Sequence, residues 1–246
     1  MAMIRLGVTG TDTGVGKTTV SRALLGLMRA DGLRVAAMKP VETGVMRDDP
    51  FSDARTLAVA AGNGAPMQDV CPIVLDEPLA PWMAARRAGR PLSLHLLDES
   101  FHRLTRQADA VLVEGAGGLL VPITETDTYL TLFQRWSLDA IVVAANRLGA
   151  INHTRLTVHA LLDAGVRVLA VVLNETDGAA PDVARLTNRD ALQTLLPDMP
   201  VMSFPWLTPT ADDSAMAHAA AASRLHDVIA RAAPERHHIA EGHIHR

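Results

Sequence analysis

The sequence predicts an α/β fold in which a mostly parallel central sheet is flanked by helices on both faces, and three observations carry that expectation. Apolar runs alternate with helical stretches along the chain, the pattern of parallel strands joined by crossover helices. A short apolar strand at Ile4, Leu6 and Val8 runs into GTDTGVGKTT at residues 10–19. It then enters a helix whose Val20, Leu24, Leu25, Leu27 and Met28 recur at helical spacing. A further apolar run, DAVLVEGAGG at residues 109–118, ends in an acid followed by glycines.

The first of these stretches reads as a phosphate-binding loop. Its glycines let the backbone curl so that successive amides face one concavity, and the helix start adds partial positive charge there. Lys17 is positioned for the β and γ phosphates of a nucleoside triphosphate, and the Thr18 hydroxyl for Mg2+. The usual G-x-x-x-x-G-K-[ST] spacing puts its first glycine at position 11, where Thr11 stands with Gly10 before it. An ordinary glycine turn accounts for Gly14 and Gly16. It leaves Lys17 at a helix start, where a cation costs about 0.3–1 kcal/mol without an anion.

Residues 34–38 read as the second strand, stopped by proline and glycine in KPVETG at 39–44. Ligands gather at the carboxyl ends of strands in such sheets, so Lys39 is aimed toward the phosphate loop, with a solvated strand end as the alternative. Residues 52–61 read as a helix capped by Ser52. Asp53 in its first turn is by position ordinary helix-start chemistry, with a Mg2+ carboxylate as the alternative. The proline-rich stretch 76–91 is expected to be an ordered loop with a short helix over 82–87, followed by a helix over 92–107. Glu114 ends a buried strand, where an unpaired carboxylate is costly, and it can hold Mg2+ opposite Thr18. Gly115, Gly117 and Gly118 let the backbone approach a ligand.

A strand over 140–145 leads through residues 146–152 into a helix over about 153–164, whose amino end can bind an anion. The strand over 166–173 ends at Asn174, whose amide offers donor and acceptor to a base edge or simply closes a strand-end turn. A last strand over 201–204 precedes Pro205, Trp206 and Leu207, and an alanine-rich helix is expected over 211–232.

With 246 residues and 48% hydrophobic content, the chain can bury one large core, and no low-complexity stretch divides it. One domain is expected over 1–233, with a disordered His-rich tail over 234–246. The net charge of −4 and scattered basic residues argue against nucleic acid as a partner. Cys71, the single cysteine, excludes an internal disulfide framework and reads as a small packed side chain. No signal-peptide pattern or membrane-length apolar run is seen, so a soluble cytoplasmic protein is expected.

GTDTGVGKT, KPVETG, VEGAGG, LGAINHT, the strand-ending Asn174 and the late PWL, in this order from 10 to 207, resemble the dethiobiotin synthetases of the P-loop NTPase superfamily. The resemblance implies an ATP- and Mg2+-dependent ligase of biotin biosynthesis. Such an enzyme closes a cyclic urea from 7,8-diaminononanoate and CO2 or bicarbonate, as a homodimer with substrate near the subunit interface. It implies that Gly14, Val15, Gly16, Lys17, Thr18 and Thr19 cradle the ATP phosphates, and that Thr18, Asp53 and Glu114 surround Mg2+. Gly115, Ala116 and Gly117 then flank the nucleotide, while Asn174, Pro205, Trp206 and Leu207 hold adenine. Lys39 matches the family's catalytic lysine, with Lys17 beside it. Thr13, Thr43, Gly149, Ala150, Ile151 and Asn152 fall on the substrate. Two departures stand out: Gly14 occupies a position where some members carry an acid, and the substrate-covering tyrosine of some members has no counterpart over 181–190, where Asn188 is the candidate replacement.

A regulatory or partitioning ATPase of the same superfamily is the rival reading. Those proteins resemble KGGxGKT, and Asp12 stands where their first lysine would be. A cobyrinate-type amide synthetase couples a related domain to a glutamine-hydrolysing one, and no such second domain is expected within these 246 residues. A non-catalytic nucleotide module leaves Glu114, Thr18 and Lys39 together unexplained.

Overall fold

The structure, a computed structural model, describes residues 3–208 and 210–232, so the expected His-rich tail lies outside the described residues. Six parallel strands form the main sheet in the order β2-β5-β1-β6-β7-β8. They are β1 (Ile4–Gly10), β2 (Val35–Met38), β5 (Ala110–Gly118), β6 (Asp139–Ala145), β7 (Val168–Asn174) and β8 (Val201–Phe204). The inner strands are buried along almost their whole length, as a parallel sheet covered on both faces requires.

On one face α1 (Lys17–Ala30), α2 (Asp53–Ala61), α9 (Asp213–Ala222) and α10 (Leu225–Ala232) enclose a core around Leu6, Val8, Leu24 and Leu112. On the other, α5 (Leu94–Thr105), α6 (Tyr129–Arg135), α7 (Ala150–Asp163) and α8 (Val183–Leu195) cover Val111, Val113, Val142 and Val171. Short helices α3 (Met67–Val70) and α4 (Pro81–Arg87) complete the chain. The parallel register of β1 on β5 runs from Ile4–Ala110 to Gly10–Gly118, which brings the phosphate loop beside the end of the Glu114 strand.

Three elements differ from the sequence expectation. β2 stops at Met38 as expected and the chain bends at Pro40, but it then forms β3 (Val41–Thr43), which pairs in parallel with β4 (Ile73–Leu75) as a separate two-stranded sheet. Each of these strands is three residues long, too short for period to show. Helix α7 begins at Ala150, not near 153, because Gly149 adopts φ 94° and turns the chain directly into the helix. The alanine-rich stretch is two helices. Ser223 Oγ donates back to the Ala219 carbonyl at 2.7 Å, and Arg224 takes a left-handed φ of 57°, which breaks the run.

Gly7, at the centre of β1, has the ring of the buried Phe133 where a side chain would be, with its Cε1 only 2.4 Å from an ideal Cβ. Gly7→Ala is therefore expected to destabilise the fold by about 1–3 kcal/mol through overpacking, checked by denaturant unfolding; an unchanged midpoint would remove Phe133 as the reason for this glycine.

Candidate functional site

The phosphate loop is shaped by Gly14 and Gly16, at φ 72° and 90°, conformations that cost side-chain-bearing residues strain. Gly16 is the N-cap of α1 and supplies no side-chain hydrogen bond, and the first turn holds no acid. The leading N–H groups of α1 and its dipole therefore face the cavity uncompensated. Lys17, the first helical residue, is 6% exposed and donates from Nζ to the Asp12 carbonyl at 3.1 Å. Burial, and secondarily the positive charge of Lys39, lowers its pKa to about 8. Val15 is buried and offers the loop only its backbone.

Behind the loop lies a charged centre drawn from α1, α2, β2's end and β5. Glu114 is fully buried, with Oε2 accepting from Ser21 Oγ at 2.7 Å. Lys39 Nζ donates to Glu114 Oε1 at 2.6 Å and to Asp53 Oδ2 at 2.7 Å. The Thr18 hydroxyl, with one proton to share, lies 2.8 Å from Asp53 Oδ1 and 2.9 Å from Glu114 Oε1. Burial alone would lower the Lys39 pKa, but the two carboxylates outweigh it and hold the ammonium well above its usual range. Burial likewise would raise Asp53, and Lys39 reverses the sign, keeping that carboxylate below its ordinary value.

Sequence reasoning missed Glu42. It sits on β3, 5% exposed, and accepts from the backbone N–H of Asp53 at 2.6 Å and of Ala54 at 3.1 Å. Ser52 Oγ takes the next amide, that of Arg55, at 3.2 Å. The amino end of α2 is thus held by two side chains, and Asp53, its first residue, is fixed toward Thr18 and Lys39. The only signal in the sequence was an acid inside KPVETG, and nothing local says that it caps a helix eleven residues on. Burial pushes the Glu42 carboxyl above its ordinary range despite those bonds. Cys71, buried, has its thiol pushed up to about 12 by burial, which suits a packed side chain.

A cavity of about 810 Å3 brings together Thr13, Gly14, Gly16, Lys17, Thr18, Thr19, Lys39, Thr43, Asp53, Ala116 and Gly117. Gly117, at φ 68°, passes close to the Thr13 hydroxyl, and Gly115 packs on the Tyr129 ring, 3.3 Å from where a Cβ would be. Asn174 ends β7 under the loop: its Nδ2 donates to the Val15 carbonyl at 3.0 Å, while Oδ1 is buried without a partner. That orphaned acceptor suits an amino group on a base. An ideal Cβ on Gly16 would lie 2.0 Å from the same Nδ2. Pro205, Trp206 and Leu207 follow directly from Phe204, which is in register with Asn174. Leu207 packs on the core, and Trp206 is 42% exposed.

Gly149, Ala150, Ile151 and Asn152 stand apart from the phosphate cavity. They form the cap and first turn of α7, and Gly149, Ile151 and Asn152 line a groove of about 560 Å3 with Leu148, Leu156 and His159. An ion pair from Arg147 to Asp12 at 3.7 Å links the turn before α7 to the phosphate loop. Asn188 borders this groove but is buried, and its Nδ2 donates to Asn146 Oδ1 and to the Arg147 carbonyl, each at 3.0 Å. It braces the turn before α7 and does not cover a ligand as a tyrosine would, because it lies on the inward face of α8.

Thr18, Asp53 and Glu114 supply one hydroxyl and two carboxylates around a spot that already holds an ammonium. This oxygen donor set fits Mg2+, which takes few protein ligands and keeps positions for phosphate and water. Among the described residues no cluster of three or more His, Cys, Asp or Glu suggests a different metal.

The family model described as "AAA domain" matches residues 5–214. An ATP-dependent dethiobiotin synthetase BioD from Anaeromyxobacter dehalogenans strain 2CP-C is 45% identical over 198 residues, 77% of this chain and 88% of that protein. The BioD of Ralstonia nicotianae is 40% identical, over 69% of this chain and 76% of its own. That of Aquifex aeolicus is 37% identical, over 78% and 84%. Among solved structures, chloroplast FtsY from Physcomitrella patens aligns with 89% of this chain and 65% of its own at 16% identity, with a TM-score of 0.48.

Two outcomes are expected of this geometry. Lys39→Ala leaves the buried Glu114 charge unpaired and lowers stability by about 3–5 kcal/mol, a loss that Mg2+ or Mn2+ partly restores in thermal melts. Equal melting with and without metal would contradict a shared cation position. Glu42→Ala frees the first amides of α2 and costs about 1–2 kcal/mol of stability by chemical denaturation, as loss of a helix cap does.

Proposed function

The chain belongs to the ATP-dependent dethiobiotin synthetase family, and we propose that it closes the ureido ring of dethiobiotin from 7,8-diaminononanoate and CO2 at the expense of ATP. The observation that carries this reading is the meeting of Lys17, Thr18, Lys39 and Asp53, backed by the buried Glu114, at the amino end of α1, beside a cavity large enough for more than a triphosphate.

In the first step one amine of the substrate attacks CO2, forming an N–C bond and releasing a proton to give a carbamate. A carbamate oxygen then attacks the γ-phosphorus and ADP leaves, producing a mixed carbamic-phosphoric anhydride. The second amine attacks the carbonyl carbon, closes the ring and expels phosphate. The residues act chiefly by placing charge and by holding the two amines close to the reacting carbon, an arrangement worth several kcal/mol. Lys17, whose pKa burial lowers to about 8, holds its proton more firmly once phosphate oxygens lie beside it. Lys39 presents a permanent ammonium to the same cavity. Mg2+ held by Thr18, Asp53 and Glu114 would offset the charge that develops on the transferring phosphoryl group.

Asn174 Oδ1, with Pro205, Trp206 and Leu207 beyond it, suits adenine, and the Gly115–Ala116–Gly117 backbone passes beside the nucleotide. Thr13 and Thr43 supply hydroxyls on the substrate side. The α7 amino end at Gly149, Ala150, Ile151 and Asn152 takes the substrate carboxylate through the positive end of the helix and its leading amides, although the Ala150 amide also donates to the Arg147 carbonyl at 3.1 Å. That groove opens beside Leu148, 86% exposed, and Leu156, 63% exposed, with Val183 and Leu186 of α8 similarly bare. An apolar surface of this kind beside a substrate groove supports a homodimer that buries both. No helix among the described residues is long and apolar enough to cross a membrane. The switch-ATPase reading is not favoured: Asp12 bonds within its own loop, its Oδ1 accepting from the Thr13 amide at 2.7 Å, and offers no cation to a partner's nucleotide.

The deciding experiment is fixation of labelled bicarbonate into acid-stable product with ATP and Mg2+, with and without 7,8-diaminononanoate. Label retained only in the presence of the diamine is expected; ADP release independent of the diamine, with no label fixed, would overturn the assignment.

A further inference from the structure

Between α1, α2 and α9 runs a groove of about 660 Å3 that shares no lining residue with the phosphate cavity. This volume lies in the range of roughly 300–1,000 Å3 typical of small-molecule sites. Three arginines face it: Arg22 and Arg29 from α1 and Arg55 from α2, against a single acid, Asp213 of α9. The chain as a whole carries a net charge of −4, so this is a local reversal of sign. Arg22 Nη2 and Arg29 Nη1 each donate to a backbone carbonyl, of Ala211 and Ala60, both at 3.2 Å. Neither guanidinium has a carboxylate partner, although Arg29 also sits at the carboxyl end of α2, where the helix dipole favours a cation. Arg55 Nε is buried with no hydrogen-bond partner, although α2 is otherwise well satisfied at its amino end.

Gly26 makes an independent observation. It lies inside the fourteen-residue α1, on the face that carries Arg22 and Arg29, and an ideal Cβ there meets nothing within 4 Å. Glycine is the least favoured residue of a helix interior after proline, and no neighbour in the fold requires it. Its effect is to keep the groove floor bare between the two arginines. Leu27 and Met216 supply buried apolar surface alongside.

We propose that this groove is a second ligand site, for a small organic anion: a carboxylate or phosphate ester with an apolar body. The guanidinium forks match the planar or tetrahedral oxygens of such a head group, and the helix floor receives the body. The site does not depend on the reaction assigned above.

The test is calorimetric titration of the full chain, saturated with MgADP so that the phosphate loop is filled, with octanoate and with n-hexyl phosphate. Sulfate serves as a control for charge alone. Saturable binding of at least one probe, stronger than sulfate, is expected, and which probe binds distinguishes the carboxylate from the phosphate source. Gly26→Leu, whose Cβ would meet nothing within 4 Å, adds apolar bulk to the floor, should melt no lower than the parent, and should weaken binding about tenfold or more. Arg55→Gln should do the same. The proposal is overturned if neither probe saturates up to about 10 mM, or if Gly26→Leu binds as tightly as the parent, which would place the probe elsewhere, such as the α7 groove.

Discussion

The ammonium of Lys39, lodged between the Asp53 and Glu114 carboxylates, is the interaction on which the rest of the site depends. Glu114 has no exposure, so a negative charge there is tolerable only beside a cation and hydrogen-bond donors. Lys39 supplies the first, and Ser21 and Thr18 the second. Those four residues come from β5, the end of β2 and the first turns of α1. The charge cluster therefore fixes how the phosphate loop sits on the sheet, as well as what can bind there.

A second consequence is electrostatic contrast between two lysines a few residues' reach apart. Lys39 sees two carboxylates at contact and stays charged under all ordinary conditions, whereas Lys17 sees Lys39 and the loss of water, and its proton is held loosely. One lysine belongs to the protein's own charge balance. The other is left for an incoming polyanion, and the helix start of α1 points the same way.

The chemistry written within short windows was legible in the sequence; what depends on long-range folding was not. The glycine loop, Lys17 and Thr18 are contiguous, and Glu114 announces itself by ending an apolar run in a carboxylate. Asp53 was ambiguous because an acid in a first helical turn is ordinary, and only its approach to Thr18 across thirty-five residues separates the two meanings. Glu42 was silent because its partners are amides on a helix the window does not contain. The early start of α7 and the break at Arg224 turn on backbone angles that glycine permits in the first case and a serine back-bond provokes in the second. The β3–β4 pair rests on six residues with no period to read.

The contact between Gly16 and Asn174 bears on which genetic changes the loop can survive. A side chain at 16 meets two obstacles of different kinds, a left-handed backbone and an amide nitrogen that would sit 2.0 Å from its first carbon. Trimming Asn174 clears the second obstacle and leaves the first, while also removing the bond that tethers Val15. No second-site suppressor at 174 can rescue a replaced Gly16, so the two positions are locked without being able to compensate each other.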